Sequence, residues 1–206
     1  MDYQTFLNKC SEGHIDHKAY WRLQQWESLE DALASLYAHD MMWLIWYFDT
    51  DERRKWDIML TLVQLANYNI YAPYDKLLGL VSNNVECHLA GQSVNWREYL
   101  DVVQKATQEL SVKLSKLDIY NLDYSSVNNA FKLSQAVGQV VKMFLLHDTK
   151  FSAESVLALQ AYHAAQAVQL MSGPIPALDI LYRHYPHELI LSIVEGAGRE
   201  LSTDLQ

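Results

Sequence analysis

Eight consecutive apolar residues, Met41–Phe48, place the strongest constraint on how this chain can fold. Polar residues flank the run, with His39 and Asp40 before it and Asp49 after it. The run is too short to span a bilayer, because a membrane helix needs about 20 apolar residues. A helix that is apolar on all sides must also be covered on all sides. We therefore expect this segment to lie at the centre of a compact helical protein.

The composition favours long helices. The chain has 206 residues, half of them hydrophobic, with four prolines and seven glycines. A β-sandwich or barrel needs many turns rich in those two residues, whereas a chain of this size buries roughly 70% of its unfolded surface in one core. Apolar residues recur at helical spacing through nearly the whole sequence. We predict an all-α fold, a single compact bundle of about eight or nine helices around the central apolar helix, as one domain over residues 1–206.

Local signals predict several helix boundaries. Ser28 followed by Asp31 is similar to a capping box, and it predicts one helix that runs from there to Phe48. Asn67–Pro73 is predicted to be a loop before the next helix. Asp118–Asp123 is predicted to connect two long helices.

Charge and cysteine content exclude several classes of function. The formal net charge of −9 disfavours a nucleic-acid-binding protein, because phosphates reward clustered Lys and Arg. Cys10 and Cys87 are far apart and predict neither a disulfide framework nor a zinc site. The first residues lack the basic start and apolar middle of a secretory signal. We expect a cytoplasmic protein that does not bind nucleic acid or a membrane.

Residues 144–148, FLLHD, resemble the signature of the HD-domain phosphohydrolases, in which a His-Asp pair at the end of an apolar helix binds a divalent metal. The resemblance implies an all-helical fold and a metal that activates water. Its ligands here would be His147 and Asp148, and under this alternative the fold would bring His88 and His163 to the same metal.

His39 and Asp40 form a second His-Asp dipeptide, inside a predicted helix. We expect a buried His39 that is hydrogen-bonded to a carboxylate or a carbonyl group. A buried Asp40 needs a cationic partner, and Arg53 or Arg54 of the following helix is the expected one.

Aromatic residues are concentrated in the first third of the chain. Such residues form either an aromatic-rich core or an exposed binding surface, where they bury a large area at low entropy cost. Three tyrosines continue the series into the predicted loop, a kind of segment that often carries recognition residues. The candidate partner-binding residues are Trp21, Trp26, Trp56, Tyr68, Tyr71 and Tyr74.

Three hypotheses of function follow. The preferred one is a non-enzymatic protein without a cofactor that binds a protein partner through an acidic surface rich in Tyr and Trp. One subclass is an antitoxin or immunity-type inhibitor that covers a basic partner; the sequence leaves assembly with identical copies open. The first alternative is an HD-type phosphohydrolase with a divalent metal at His147 and Asp148. The second is a helical sensor of an apolar small molecule bound near Trp43 and His163. HExxH, GxSxG, Walker A and GxGxxG motifs are absent, which removes the usual support for other enzyme classes.

Overall fold

The computed structural model describes residues 1–65, 83–84, 86–88, 90–148, 154–172 and 174–196. The regular secondary structure in these ranges is helical throughout, which confirms the all-α class. Within them, no helix is long and apolar enough to cross a membrane.

Short connections join the first five helices to one another. Their bounds are α1 (Tyr3–Glu12), α2 (His17–Leu23), α3 (Leu29–Ala34), α4 (Ala38–Phe48), α5 (Glu52–Leu65), α6 (Trp96–Leu114), α7 (Tyr124–Asp148), α8 (Glu154–Ser172), α9 (Pro174–His184) and α10 (His187–Gly196). Residues 83–84 and 86–88 are also helical.

The helix predicted to run from Ser28 to Phe48 is two helices, so that prediction is wrong. Ser28 does cap a helix, since its hydroxyl accepts a hydrogen bond from the Asp31 amide at 3.1 Å, but that helix is the short α3. Tyr37 then has an extended backbone, with φ −82° and ψ 165°. The Asp40 carboxylate accepts a hydrogen bond from the Tyr37 amide at 3.0 Å. Because this bond satisfies a backbone donor at a helix start, it favours a new helix, α4, over continuation of α3.

Helix α4 is the most buried element of the described fold. Every residue of the apolar run except Tyr47 is buried. The helix packs against α8, α9 and α10. Helix α8 brings small residues to the core, and small side chains allow helix axes to approach closely. The buried alanines of α8 are Ala158, Ala161, Ala164 and Ala165.

One contiguous cluster of buried apolar side chains includes residues from every helix from α1 to α10. Helix α7 packs between α6 and α8. A second, smaller cluster of Leu110, Val127 and Ala130 joins the outer ends of α6 and α7. The hairpin of α6 and α7 is therefore held together at its outer end by its own apolar contacts.

Candidate functional site

An open cleft of about 450 Å³ lies between α2 and the residue that precedes α4. The described residues that line it are His17, Lys18, Trp21, Arg22 and Tyr37. We call this set the aromatic cleft. Four of the five belong to α2 and form two i, i+4 pairs, which places them on one side of that helix.

Helix α2 presents this side to solvent because its opposite side is anchored in the core. Ala19 and Leu23 are fully buried. The helix begins at Asp16, whose carboxylate accepts hydrogen bonds from the amides of Lys18 and Ala19 at 3.0 and 3.3 Å. Such a cap stabilises the first turn of a helix. The local sequence thus fixes both the start of α2 and the side on which the cleft lies.

Arg22 forms an ion pair with Asp40, whose side chain is completely buried. The prediction that Arg53 or Arg54 pairs with Asp40 is therefore wrong. Asp40 lies in the first turn of α4, whereas both arginines follow the C-terminal end of this helix. Roughly 12 Å of helix separate Asp40 from that end. Arg54 instead pairs with Asp51 at 2.7 Å.

The Arg22 guanidinium also lies over the Tyr37 ring, 4.5 Å from its centroid. A cation in this position is attracted by the negative face of an aromatic ring. The Arg22 side chain remains 21% exposed. Arg22 is therefore held by a carboxylate and by a ring, and it still reaches the solvent at the cleft.

His39 connects the floor of the cleft to α8. Its Nδ1 lies 2.6 Å from the Gln169 side-chain oxygen, and its Nε2 lies 3.7 Å from an Asp40 carboxylate oxygen. The ring contacts Tyr162 edge-on, with 4.9 Å between the ring centroids. His39 is thus bonded to a carbonyl oxygen, as expected for a structural histidine, and the bond joins α4 to α8.

The pKa of Tyr162 is affected by burial and by charged groups near the cleft. Burial is the largest cause that raises the pKa of Tyr162 to about 12; the carboxylates of Asp16 and Asp40 also contribute, and Arg22 opposes them. The Tyr162 ring packs against His39, which lies next to Asp40, so Tyr162 lies close to the Arg22–Asp40 pair.

The predicted aromatic surface is divided by the structure. Trp21 is 58% exposed, Tyr37 45% and Trp26 44%, whereas Trp56 is 1% exposed. The prediction that Trp56 contributes to an exposed surface is therefore wrong. Met59, three residues later on the same side of α5, is also buried, which places Trp56 on the core side of that helix.

Trp56 instead forms one outer layer of a stack of three rings with Phe144 in the middle. The Trp56 and Phe144 centroids are 3.7 Å apart with an angle of 12° between the planes, and the Phe144 and Trp96 centroids are 4.1 Å apart at 5°. We call Trp56, Phe144 and Trp96 the ring stack. The candidate residues Tyr68, Tyr71 and Tyr74 lie outside the described residues.

The four candidate metal ligands lie in three helical segments, with His147 and Asp148 adjacent at the end of α7. His88 lies edge-on against Phe144, 4.7 Å between centroids, and His163 is exposed on α8. His147 and Asp148 end α7, and their side chains are outside the described part of the chain. Among the described side chains, no group of three His, Cys, Asp or Glu is placed to hold a metal ion. The metal site stays a prediction.

The connection between α6 and α7 carries an apolar surface that the sequence analysis did not identify. Ile119, Tyr120 and Leu122 are largely exposed there, and we call them the hairpin tip. Asp118 accepts a hydrogen bond from the Tyr120 amide at 3.0 Å, and Asn121 accepts one from the Asp123 amide at 2.9 Å. The alternation of Asp and Asn with apolar residues was the available signal, because these side chains favour such turns.

Sequence reasoning also missed Lys18, Arg22 and Tyr37. The signal for the first two was their i, i+4 spacing, which places both cations on one flank of α2. Tyr37 follows a separate helix and meets α2 only through the tertiary fold.

Comparisons of this chain with protein-family models, with curated protein sequences and with solved structures found no match.

Proposed function

We propose that this chain is a non-enzymatic binding protein that docks a protein partner at the aromatic cleft. One observation carries the proposal: Trp21 and Tyr37 are about half exposed on either side of an arginine that the fold holds in place. Trp, Tyr and Arg are the residue types most enriched among the few that dominate binding energy at protein interfaces.

The cleft is organised before any partner arrives. Arg22 is fixed by Asp40 below it and by the Tyr37 ring beside it. The Tyr37 ring in turn stacks with His39, 5.6 Å between centroids and 27° between planes. Side chains that are already ordered lose less entropy on association, so a larger share of their contact energy appears as affinity.

The exposed aromatic area is large enough for the centre of an interface. A fully buried large aromatic side chain covers about 150–250 Å², and Trp21, Trp26 and Tyr37 are each about half exposed, so together they supply roughly 200–400 Å² of the roughly 800 Å² that each partner contributes to an interface of standard size. Trp26 lies just beyond α2, where its amide bonds to the Leu23 carbonyl at 3.3 Å. The surroundings of the cleft must supply the remaining half or more of the interface.

The net charge of −9 supports a partner that is basic overall, because opposite charge accelerates encounter. An antitoxin or immunity-type inhibitor is one form of such a protein. This subclass rests on charge and on the helical class.

The test is partner capture with two matched double variants. Trp21→Ala with Tyr37→Ala removes the cleft aromatics, and Tyr120→Ala with Leu122→Ala removes a comparable exposed area at the hairpin tip. Proteins retained from a lysate of the source cells by the wild type are then purified and measured one by one by calorimetry. We expect a partner whose affinity falls about 30-fold or more with the cleft variant and less than threefold with the tip variant.

Retention of full affinity by the cleft variant for every purified partner would contradict the proposal. Both variants are checked by thermal unfolding first. If Tyr37→Ala lowers the melting temperature, Trp21→Ala alone replaces the double variant, because Trp21 is the more exposed of the two side chains.

A further inference from the structure

We infer that the segment that enters the aromatic cleft is acidic: a carboxylate group recognised by Lys18 and Arg22, next to an apolar side chain that packs on Trp21. The inference rests on the proposed function and adds the chemistry of the partner's contact segment. It departs from the expectation that the binding surface itself is acidic, which was based on the charge of the whole chain.

The charges that line the cleft are all positive or neutral. Lys18 and Arg22 are the two cations, and His17 is the remaining ionisable group apart from Tyr37. Lys18 is exposed, and no carboxylate within the described ranges forms an ion pair with it. An anion in the cleft would therefore meet at least one cation that has no other partner there.

The carboxylates of Asp40 and Asp16 are already bonded within the protein. Asp40 lies beneath Arg22 with no solvent exposure, so it cannot contact a partner. Asp16 is bound to the backbone amides of Lys18 and Ala19 at the start of α2. Neither group lines the cleft.

Arg22 suits a carboxylate by its geometry. Asp40 accepts from its Nη2, and a guanidinium carries five N–H donors in one plane that match the two oxygens of a carboxylate. Because Asp40 and Tyr37 hold this plane in place, an incoming carboxylate can share Arg22 without reordering it.

The charge of the whole chain does not prevent this contact. At physiological salt the Debye length is about 8 Å, so acidic groups farther from the cleft are largely screened while direct contacts with Lys18 and Arg22 are not. The net charge of −9 affects the rate at which the partner associates. The charge of the cleft itself determines which segment of the partner binds there. A partner that is basic overall and presents an acidic segment satisfies both conditions.

The experiment uses a capped tetrapeptide of alternating glutamate and leucine, and the same peptide with glutamine in place of glutamate as the control. Binding to the full chain is followed by NMR through the indole N–H signal of Trp21, which is assigned with Trp21→Phe. We expect the acidic peptide to shift this signal to saturation. We expect the glutamine peptide to bind at least threefold more weakly than the acidic peptide. We expect Lys18→Gln to lower the affinity for the acidic peptide about twofold to fivefold, as for the loss of an exposed ion pair.

Lys105→Gln is the matched control, since Lys105 is exposed on α6, away from the cleft. Equal affinity for both peptides, no shift with either, or equal effects of the two lysine substitutions would each overturn the inference. If the peptides bind equally while Trp21→Ala still abolishes partner capture, only the acid preference is wrong. If Trp21→Ala leaves capture intact, the proposed function is wrong as well.

Discussion

The ring stack and the aromatic cleft are built from the same residue types, yet one lies inside the protein and the other on its surface. In the ring stack, Phe144 lies between Trp56 and Trp96, and all three side chains are almost completely buried. In the cleft, Trp21 and Tyr37 lie beside cationic groups and are about half exposed. The same aromatic content thus forms part of the core in one place and an exposed cleft, which we propose binds a partner, in the other.

Helical position accounts for the difference. Trp21 is two residues from Ala19 and two from Leu23, both buried, so it points about 200° away from each of them, to the opposite side of α2. Trp56 is three residues from the buried Met59 and shares its side of α5. We therefore expect substitutions in the ring stack to lower the stability of the protein far more than substitutions in the cleft. We expect the opposite order for their effects on partner affinity.

Phe144→Ala is expected to have the largest effect on stability. Removal of a fully buried phenylalanine costs about 3–5 kcal/mol, and the lost contacts with both indole rings place this site at the upper end. Urea unfolding followed by tryptophan fluorescence measures the change in the free energy of unfolding. The control is Tyr120→Ala at the hairpin tip, for which we expect a change within about 0.5 kcal/mol. A loss below 1 kcal/mol for Phe144→Ala would show that the stack is not a core element.

Asp40→Asn tests the link between the cleft and the core. Loss of one member of a buried ion pair typically costs 3–5 kcal/mol, and we expect about 3 kcal/mol here because Arg22 is partly exposed. The matched substitution is Asp51→Asn, which removes the charge from the more exposed pair with Arg54, and we expect it to cost less than 1 kcal/mol. Equal losses of unfolding free energy in urea titrations would mean that the Arg22–Asp40 pair stabilises the fold no more than the exposed Asp51–Arg54 pair does.

The sequence predicted the fold class and several local features because these depend on neighbours along the chain. The cap at Ser28 forms as expected, with the Asp31 amide bonded to the Ser28 hydroxyl at 3.1 Å. The break between α3 and α4 was not predicted, because it depends on Asp40, which both caps the new helix and pairs with a residue of α2.

The candidate site was only partly predictable for the same reason. Trp21 could be chosen as an exposed aromatic, but its partner Tyr37 is brought to it by the packing of α2 against the start of α4. Trp56 was misassigned because aromatic density was used without the helical position that separates the core side from the solvent side. The net charge of the whole chain, from which an acidic binding surface was predicted, does not give the sign of the charges that line one cleft, and only the fold brings Lys18 and Arg22 there.

Alkaline pH should weaken the connection between the cleft and α8. Burial raises the pKa of Tyr162 from its ordinary value near 10 to about 12, so the folded state holds this proton where the unfolded state has lost it. The resulting stability is complete below pH 10 and is lost as the pH rises to about 12, with a slope of at most about 1.4 kcal/mol per pH unit. Urea unfolding between pH 9 and about 12 measures the slope.

Tyr162→Phe is the matched variant, because it keeps the ring against His39 and removes the ionisable hydroxyl. We expect a shallower fall of stability above pH 10 in this variant. Burial also raises the pKa values of Tyr99 and Tyr185, so part of the slope remains. An unchanged slope in Tyr162→Phe would show that the pKa of this hydroxyl is not raised in the folded state.

Trp21→Ala is expected to have the smallest effect on stability and therefore separates the two regions most sharply. More than half of this side chain is exposed, and substitutions at such positions usually change the free energy of unfolding by less than about 0.5 kcal/mol. Thermal and urea unfolding are compared with partner affinity in the same preparation. A loss of affinity with unchanged stability assigns Trp21 to recognition. A loss of 2 kcal/mol or more in unfolding free energy would instead place Trp21 with the ring stack as a structural residue, since the indole would then support the packing of α2 on α4.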